Sequence, residues 1–283
     1  MILKKFALIL ASIWVTNLGS LAYAQTNDTI QDKIVLNNWE RFSVNLGGFI
    51  AGVNTGFRLG SKQLGIGVDI KLEDALGLKA SNFVFRGDAM YRFGQTKKHG
   101  VKFGYFGFSR AAYKVLETEL ELGDKVYPIG TEISSIFDLS IFNFSYDYTF
   151  FGDNRVNLGT SIGLFIMPLK FRLDVSGVTE ETTNLLAPLP VFGLRSDFSI
   201  SSKLFLKHGL EILYLQAGDY TGILMDLNVR LEYNPWKHFG FGTGINMYRM
   251  KVEVDGNDFD HSKFVGNIEM GYTGMQFYGR YLF

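Results

Sequence analysis

Three stretches of this chain alternate with a period of two and keep every charge on one side. Along 83–93, Phe83, Phe85, Gly87, Ala89, Tyr91 and Phe93 alternate with Val84, Arg86, Asp88, Met90 and Arg92. Along 221–233, the parity of Thr221, Ile223, Met225, Leu227, Val229, Leu231 and Tyr233 is uncharged, and Asp226, Arg230 and Glu232 share the other. Along 64–72, Asp69 and Lys71 again share one parity. A period of two marks a strand with two different faces. One uncharged face is what a lipid-facing wall demands, because Arg or Lys turned outward at mid-membrane costs about 2–4 kcal/mol.

A soluble periplasmic β-sandwich also alternates, with its apolar face on a second sheet, and stands as the alternative. Strand length favours a barrel: most alternating segments reach the 9–11 residues of a tilted membrane strand. Aromatics gather at strand ends (Phe93, Tyr148, Phe150, Tyr233, Trp236 and Phe239), like interfacial girdles. After the N-terminal leader no apolar run approaches transmembrane-helix length. A membrane-spanning form must then be a closed barrel, since only helices and closed barrels satisfy every backbone group in lipid. The expected fold is all-β, a transmembrane antiparallel up-and-down barrel.

The pattern predicts twelve strands, near 42–50, 53–60, 64–72, 83–94, 100–113, 133–150, 156–174, 190–201, 204–215, 220–234, 239–254 and 264–283. Tight turns then fall at one end. Most links at the other are longer: 73–82, 114–132, 175–189 and 255–263. Residues 42–60 are open to another reading, because the apolar parity moves from Ile50 to Val53. They form one strand with a bulge near Ala51 in an eleven-strand version. If 53–72 is an extracellular hairpin, the count is ten. The parity also shifts within 156–174 and 264–283, which suggests slips near Pro168 and Gly274.

The first 24 residues have the pattern of a secretory signal peptide: Lys4 and Lys5, the apolar run Phe6 to Val15, then Ala22-Tyr23-Ala24, with cleavage after Ala24. Residues 25–40 read as a periplasmic lead-in and 41–283 as the barrel. At the other end Phe277, Gly279, Tyr281 and Phe283 share one parity. This terminal aromatic-x-Phe strand resembles the assembly signal of bacterial outer-membrane β-barrel proteins. The resemblance implies an outer-membrane location, a surrounding of outer-membrane lipid and lipopolysaccharide, and a barrel-assembly machinery that reads Phe277, Tyr281 and Phe283.

The parity opposite the apolar wall supplies the candidate lumen lining: Arg58, Asp69, Lys71, Arg86, Asp88, Arg92, Arg110, Asp147, Arg195, Asp197, Glu211, Asp226, Arg230, Glu232, Glu269 and Arg280. These charges either neutralise one another in a structural network or line a narrow pore that selects a small solute. Met90, Phe106 and Phe108 share the inward parity and predict a constricted lumen.

The sequence offers no convincing catalytic constellation, and the expectation is a non-enzyme. A phospholipase-like His-x-Ser pair fails at His208, where Leu210 holds the serine position. Asp260-His261 faintly resembles the Asp–His pair of outer-membrane proteases, so a lipid- or peptide-directed hydrolase remains the alternative. With 28 Lys+Arg against 28 Asp+Glu, the chain lacks the basic excess of a nucleic-acid binder. No cysteine is present, so thiolate metal sites are out. Asp255, Asn257, Asp258 and Asp260 lack the spacing of a calcium loop. No cofactor or metal is expected. A pore, a small-solute binder and a structural surface protein remain open.

Overall fold

The computed structural model describes residues 39–60, 67–79, 81–117, 119–122, 125–176, 178–217, 220–254 and 266–283. The expected leader at 1–24, most of the expected lead-in and the acidic segment around Asp260-His261 lie outside them.

The chain order is β1 (Phe42–Gly60), β2 (Gly67–Lys71), a short helix α1 (Leu72–Leu76), β3 (Ser81–Phe93), β4 (His99–Val115), β5 (Leu120–Leu122), β6 (Lys125–Tyr127), β7 (Glu132–Gly152), β8 (Val156–Val175), β9 (Val178–Ser199), β10 (Leu204–Ala217), β11 (Tyr220–Tyr233), β12 (Phe239–Val254) and β13 (Gly266–Leu282). The long strands pair in sequence order, and β13 pairs back onto β1 from Ser43↔Leu282 to Leu59↔Gly266. One sheet therefore closes on itself. It is neither the two packed sheets of a sandwich nor the expected twelve-strand barrel.

The barrel has ten strands, the count of the alternative in which 53–72 form a hairpin. Residues 42–60 are one strand, β1, whose register against β13 runs unbroken through Ala51. β1 pairs with β3 up to Gly52 and then with β2 from Gly56, so β2 is a hairpin extension above β3 rather than a separate wall strand. The slips expected near Pro168 and Gly274 are likewise absent from the β8–β9 and β12–β13 registers. A real shift occurs between Thr149 and Phe151, and it leaves the neighbours Phe150 and Phe151 both exposed at the lower rim.

The faces change character with height instead. In the lower part, the end where β1 begins and β13 ends, outward residues such as Phe144, Tyr146, Ile162, Phe241 and Phe277 are exposed and apolar. Their inward neighbours Ser145, Asp147, Asn157, Gln276 and Arg280 are buried and polar. In the upper part the inward residues are Phe49, Ala51, Val53, Phe137, Leu139, Phe165, Met167 and Leu173, all buried in one apolar cluster, while Lys170, Arg249 and Glu269 are exposed outside. Apolar outside with polar inside is a membrane span; apolar inside with polar outside is a water-soluble core. The crossover lies about 9–11 residues above the lower rim, the length a tilted strand needs to span a bilayer.

Just below the crossover two seams open in the wall. The β3–β4 ladder ends at Phe85↔Gly107, although β4 continues to Val115. The β9–β10 ladder ends at Ile212↔Phe192, although β9 begins at Val178. Pro188 and Pro190 lie just above that second stop, and neither has an N–H to extend a ladder. The first seam is spanned by α1, whose chain leaves through Gly77 at φ +69°, a helix-ending conformation suited to glycine.

Candidate functional site

The lower interior holds an ionic lattice built from nearly every strand. Arg280 on β13 pairs with Glu232 on β11, and its second terminal nitrogen lies 3.1 Å from Glu40. Lys207 on β10 bridges Glu40 at 2.7 Å and Glu232 at 2.9 Å. Arg195 on β9 holds Asp147 at 2.8 Å and Asp197 at 2.5 Å, and Arg92 reaches Asp197 at 3.5 Å. Higher up, Lys102 pairs with Glu211 at 3.0 Å, and Asn143 donates to the other oxygen of Glu211 at 2.8 Å. Arg230 lies 3.5 Å from Asp88. Arg86 donates to Asn246 at 2.9 Å, and Asn246 donates to Asp226 at 2.5 Å. Removing one partner of such a buried pair strands the other in low dielectric and costs about 3–5 kcal/mol.

Glu40 comes from the lead-in, not from a strand. It plugs the lower mouth beside Trp39, whose indole N–H donates to the Asp153 carbonyl at 2.7 Å. Burial works to raise the Glu40 carboxyl, but Lys207, Arg92 and Arg280 outweigh it and hold the group well below the usual carboxylate range. Alternation could not flag Glu40, because it precedes the first strand. Inside the lattice lies a cavity of about 70 Å³ between residues such as Asp88, Lys102 and Glu211.

Above the lattice, four rings from β1, β4, β12 and β13 cross the lumen. Phe49 and Tyr272 have centroids 5.2 Å apart, Tyr248 and Tyr272 are 5.1 Å apart, and Phe106 lies 5.5 Å from Tyr272. Phe108 is buried above them, and Met90 is half-buried below. The glycines Gly240, Gly242 and Gly244 turn toward the interior; a Cβ at Gly242 would collide with the ring of Tyr278, whose hydroxyl donates to Glu232 at 3.0 Å.

Among the sixteen charges assigned to the lumen on parity, twelve lie inside the barrel and one does not. Glu269 is exposed on the outer face, in register with Lys251. Its inward assignment came from the supposed slip near Gly274. Arg110 is inside but belongs to the upper core: it donates to Glu73 at 2.5 Å and to Thr55 at 2.6 Å. Arg58, Asp69 and Lys71 lie on the β1–β2 hairpin, and their side chains are outside the described part of the structure. Phe277, Tyr281 and Phe283 are exposed along the outward face of the last strand.

The histidines do not assemble a catalytic site among the described residues. His208 faces outward and has a partner the sequence did not reveal: Ser196, opposite it across β9–β10, at 3.4 Å. Ser196 is buried, and no carboxylate is hydrogen-bonded to His208 among the described residues. His99 pairs with Tyr146 and His238 with the Leu282 carbonyl in the lower girdle. Among the described residues no group of His, Cys, Asp and Glu is placed to hold a metal ion.

No family model matches the sequence, and no curated protein sequence matches it. Solved structures do. The outer membrane protease OmpT from Escherichia coli superimposes with a TM-score of 0.55 at 11% identity, over 86% of this chain and 96% of that one. The fold is that of the bacterial outer-membrane β-barrels. The transport unit of the autotransporter AIDA-I from Escherichia coli (TM-score 0.39, 11% identity, 93% of this chain and 97% of that one) and the Neisserial surface protein NspA (0.32, 13%, 86% and 97%) are more distant matches. With the short turns, the start of β1 and the end of β13 facing the periplasm, the usual orientation of such barrels, the lattice lies within the membrane and the apolar core projects outside the cell.

Proposed function

We propose that this protein is a closed outer-membrane barrel with a structural or surface-binding role, rather than a solute pore or an enzyme. The filled interior carries this reading. In the lower half the cations Arg86, Arg92, Lys102, Arg195, Lys207, Arg230 and Arg280 face an equal number of carboxylates: Glu40, Asp88, Asp147, Asp197, Glu211, Asp226 and Glu232. Their formal charges cancel, so the lining offers little net field to select an ion. The residual cavity of about 70 Å³ has room for a few water molecules, not for a solute path. Above it the four-ring layer and the apolar core close the route.

The filled barrel anchors a rigid extracellular platform. β7, β8 and β9 run 21, 20 and 22 residues, about twice a membrane span. Lipid and lipopolysaccharide surround the belt, and the final strand with Phe277, Tyr281 and Phe283 offers an assembly signal to the insertion machinery.

Conductance tests the reading. In planar bilayers the refolded protein is expected to be silent at moderate voltage. Reproducible unitary steps from the wild type would overturn it.

A further inference from the structure

The seam between β3 and β4 is closed by an arrangement that copies a ligand. Arg110 sits on β4, above the last β3–β4 pair, with a side chain only 1% exposed. Its guanidinium packs against the Phe108 and Phe137 rings, with centroids 5.6 and 4.9 Å away. A buried cation in an apolar core needs an anion, and Glu73 of α1 supplies one at 2.5 Å. The other Glu73 oxygen accepts the Thr55 N–H at 3.1 Å, on the stretch of β1 between its β3 and β2 partners. Leu76 and Leu78 follow, each 2% exposed, and extend into the same core. A carboxylate on Arg110 with an aliphatic tail in the core is the chemistry of a fatty-acid anion. The Arg110 Nε is buried and has no hydrogen-bond partner among the described residues, so the cation has donor capacity that Glu73 does not use.

The setting points the same way. The wall ladder stops about eight residues above the lower rim, roughly 20 Å up for a tilted strand, so the seam opens at the outer leaflet. Exposed Phe83 and Phe85 flank it on the lipid side. A strand edge left open at that depth is costly unless something covers it.

We infer that α1 is an internal stand-in for a long-chain carboxylate, and that the β3–β4 seam is a lateral port through which such an amphiphile enters from the outer leaflet. Its head would replace Glu73 on Arg110, and its chain would replace Leu76 and Leu78. This goes beyond the closed-barrel reading and does not depend on it, since the port leads sideways into the core and not through the barrel.

The test is photolabelling of the refolded protein in lipid nanodiscs with a diazirine-bearing stearate, with stearyl alcohol carrying the same diazirine as the headless control. Labelled peptides are mapped by mass spectrometry. Glu73→Gln weakens the strap and is expected to raise stearate labelling of the β4 segment 108–114 about tenfold, the worth of one charged hydrogen-bonded pair. Leu76→Ala with Leu78→Ala is expected to raise it without touching the ion pair. Arg110→Gln in the Glu73→Gln background abolishes the gain, and Arg110→Lys retains part of it. Heat-modifiable migration on gels confirms that each variant is folded; should Arg110→Gln fail to fold, the leucine variant and the alcohol control still decide. Labelling spread over the outer belt, indifferent to Glu73, to the leucines and to the carboxylate, would overturn the port.

Discussion

Along β8 a single parity carries two chemistries. Its inward positions read Asn157, Gly159, Ser161 and Gly163 below, then Phe165, Met167, Leu169, Phe171 and Leu173 above. Its outward positions read Leu158, Thr160, Ile162, Leu164 and Ile166 below, then Pro168, Lys170, Arg172 and Asp174. β12 repeats the change: inward Gly244 and Asn246 give way to Tyr248 and Met250, while outward Ile245 and Met247 give way to Arg249 and Lys251. The backbone does nothing at these points. The solvent outside changes from lipid to water, and the preferred face changes with it. The lower half therefore holds together through ion pairs, and the upper half through apolar packing.

This contrast can be broken in order of size. Leu139→Lys places an unpaired charge in the upper core, where Leu139 is 1% exposed; the heat-modifiable folded band is expected to disappear, because an isolated buried charge costs several kcal/mol or more. Arg280→Ala in the lower lattice leaves Glu40 and Glu232 sharing Lys207 and carrying an excess of buried negative charge, with an expected loss of about 3–5 kcal/mol in urea unfolding from lipid vesicles. Outer-face substitutions sharpen the boundary. Ile162→Arg, exposed in the belt, should cost about 2–4 kcal/mol, whereas Lys170→Ala above it should stay within about 0.5 kcal/mol. An equal penalty at both would erase the proposed membrane surface.

The smallest effect is acid sensitivity at the periplasmic plug. The Glu40 carboxyl is depressed in the folded state, so its contribution is complete above its ordinary value of 4.5 and is lost as pH falls toward the folded value. Stability measured from pH 7 down to pH 3 should drop less steeply in Glu40→Gln than in the wild type. Parallel curves would deny the plug its electrostatic role.

The membrane-spanning half was legible because lipid forbids charge on one face, and that constraint is written residue by residue at 83–93 and 221–233. The upper half was not. Where the solvent becomes water the sign of the pattern reverses, and an inversion read as a continuous rule looks like a slip. That one confusion suggested a bulge near Ala51, divided β1 in two, moved Glu269 inward, and contributed to the count of twelve instead of ten. Residues 178–189 of β9 looked like a loop, because a strand outside the membrane with Pro188 and without one-sided charge has no strong signature. The lattice members could be listed from parity, but their pairing could not, since Arg280 meets Glu40 across 240 positions of chain. Glu73, Ser196 and Glu40 were invisible as partners for the same reason.

Cysteine accessibility tests the filled barrel most directly, since the natural chain has no thiol. Ser145→Cys in the lattice and Ser135→Cys in the upper core replace side chains that are each 1% exposed. Lys203→Cys in an exposed periplasmic turn is the reactive control. With a membrane-impermeant thiol reagent on both sides of the bilayer, Lys203→Cys is expected to label within minutes, and the two interior cysteines are expected to stay unlabelled until the barrel is unfolded. Rapid labelling of Ser145→Cys and Ser135→Cys in the folded protein would show a water-filled path from end to end and contradict the closed interior.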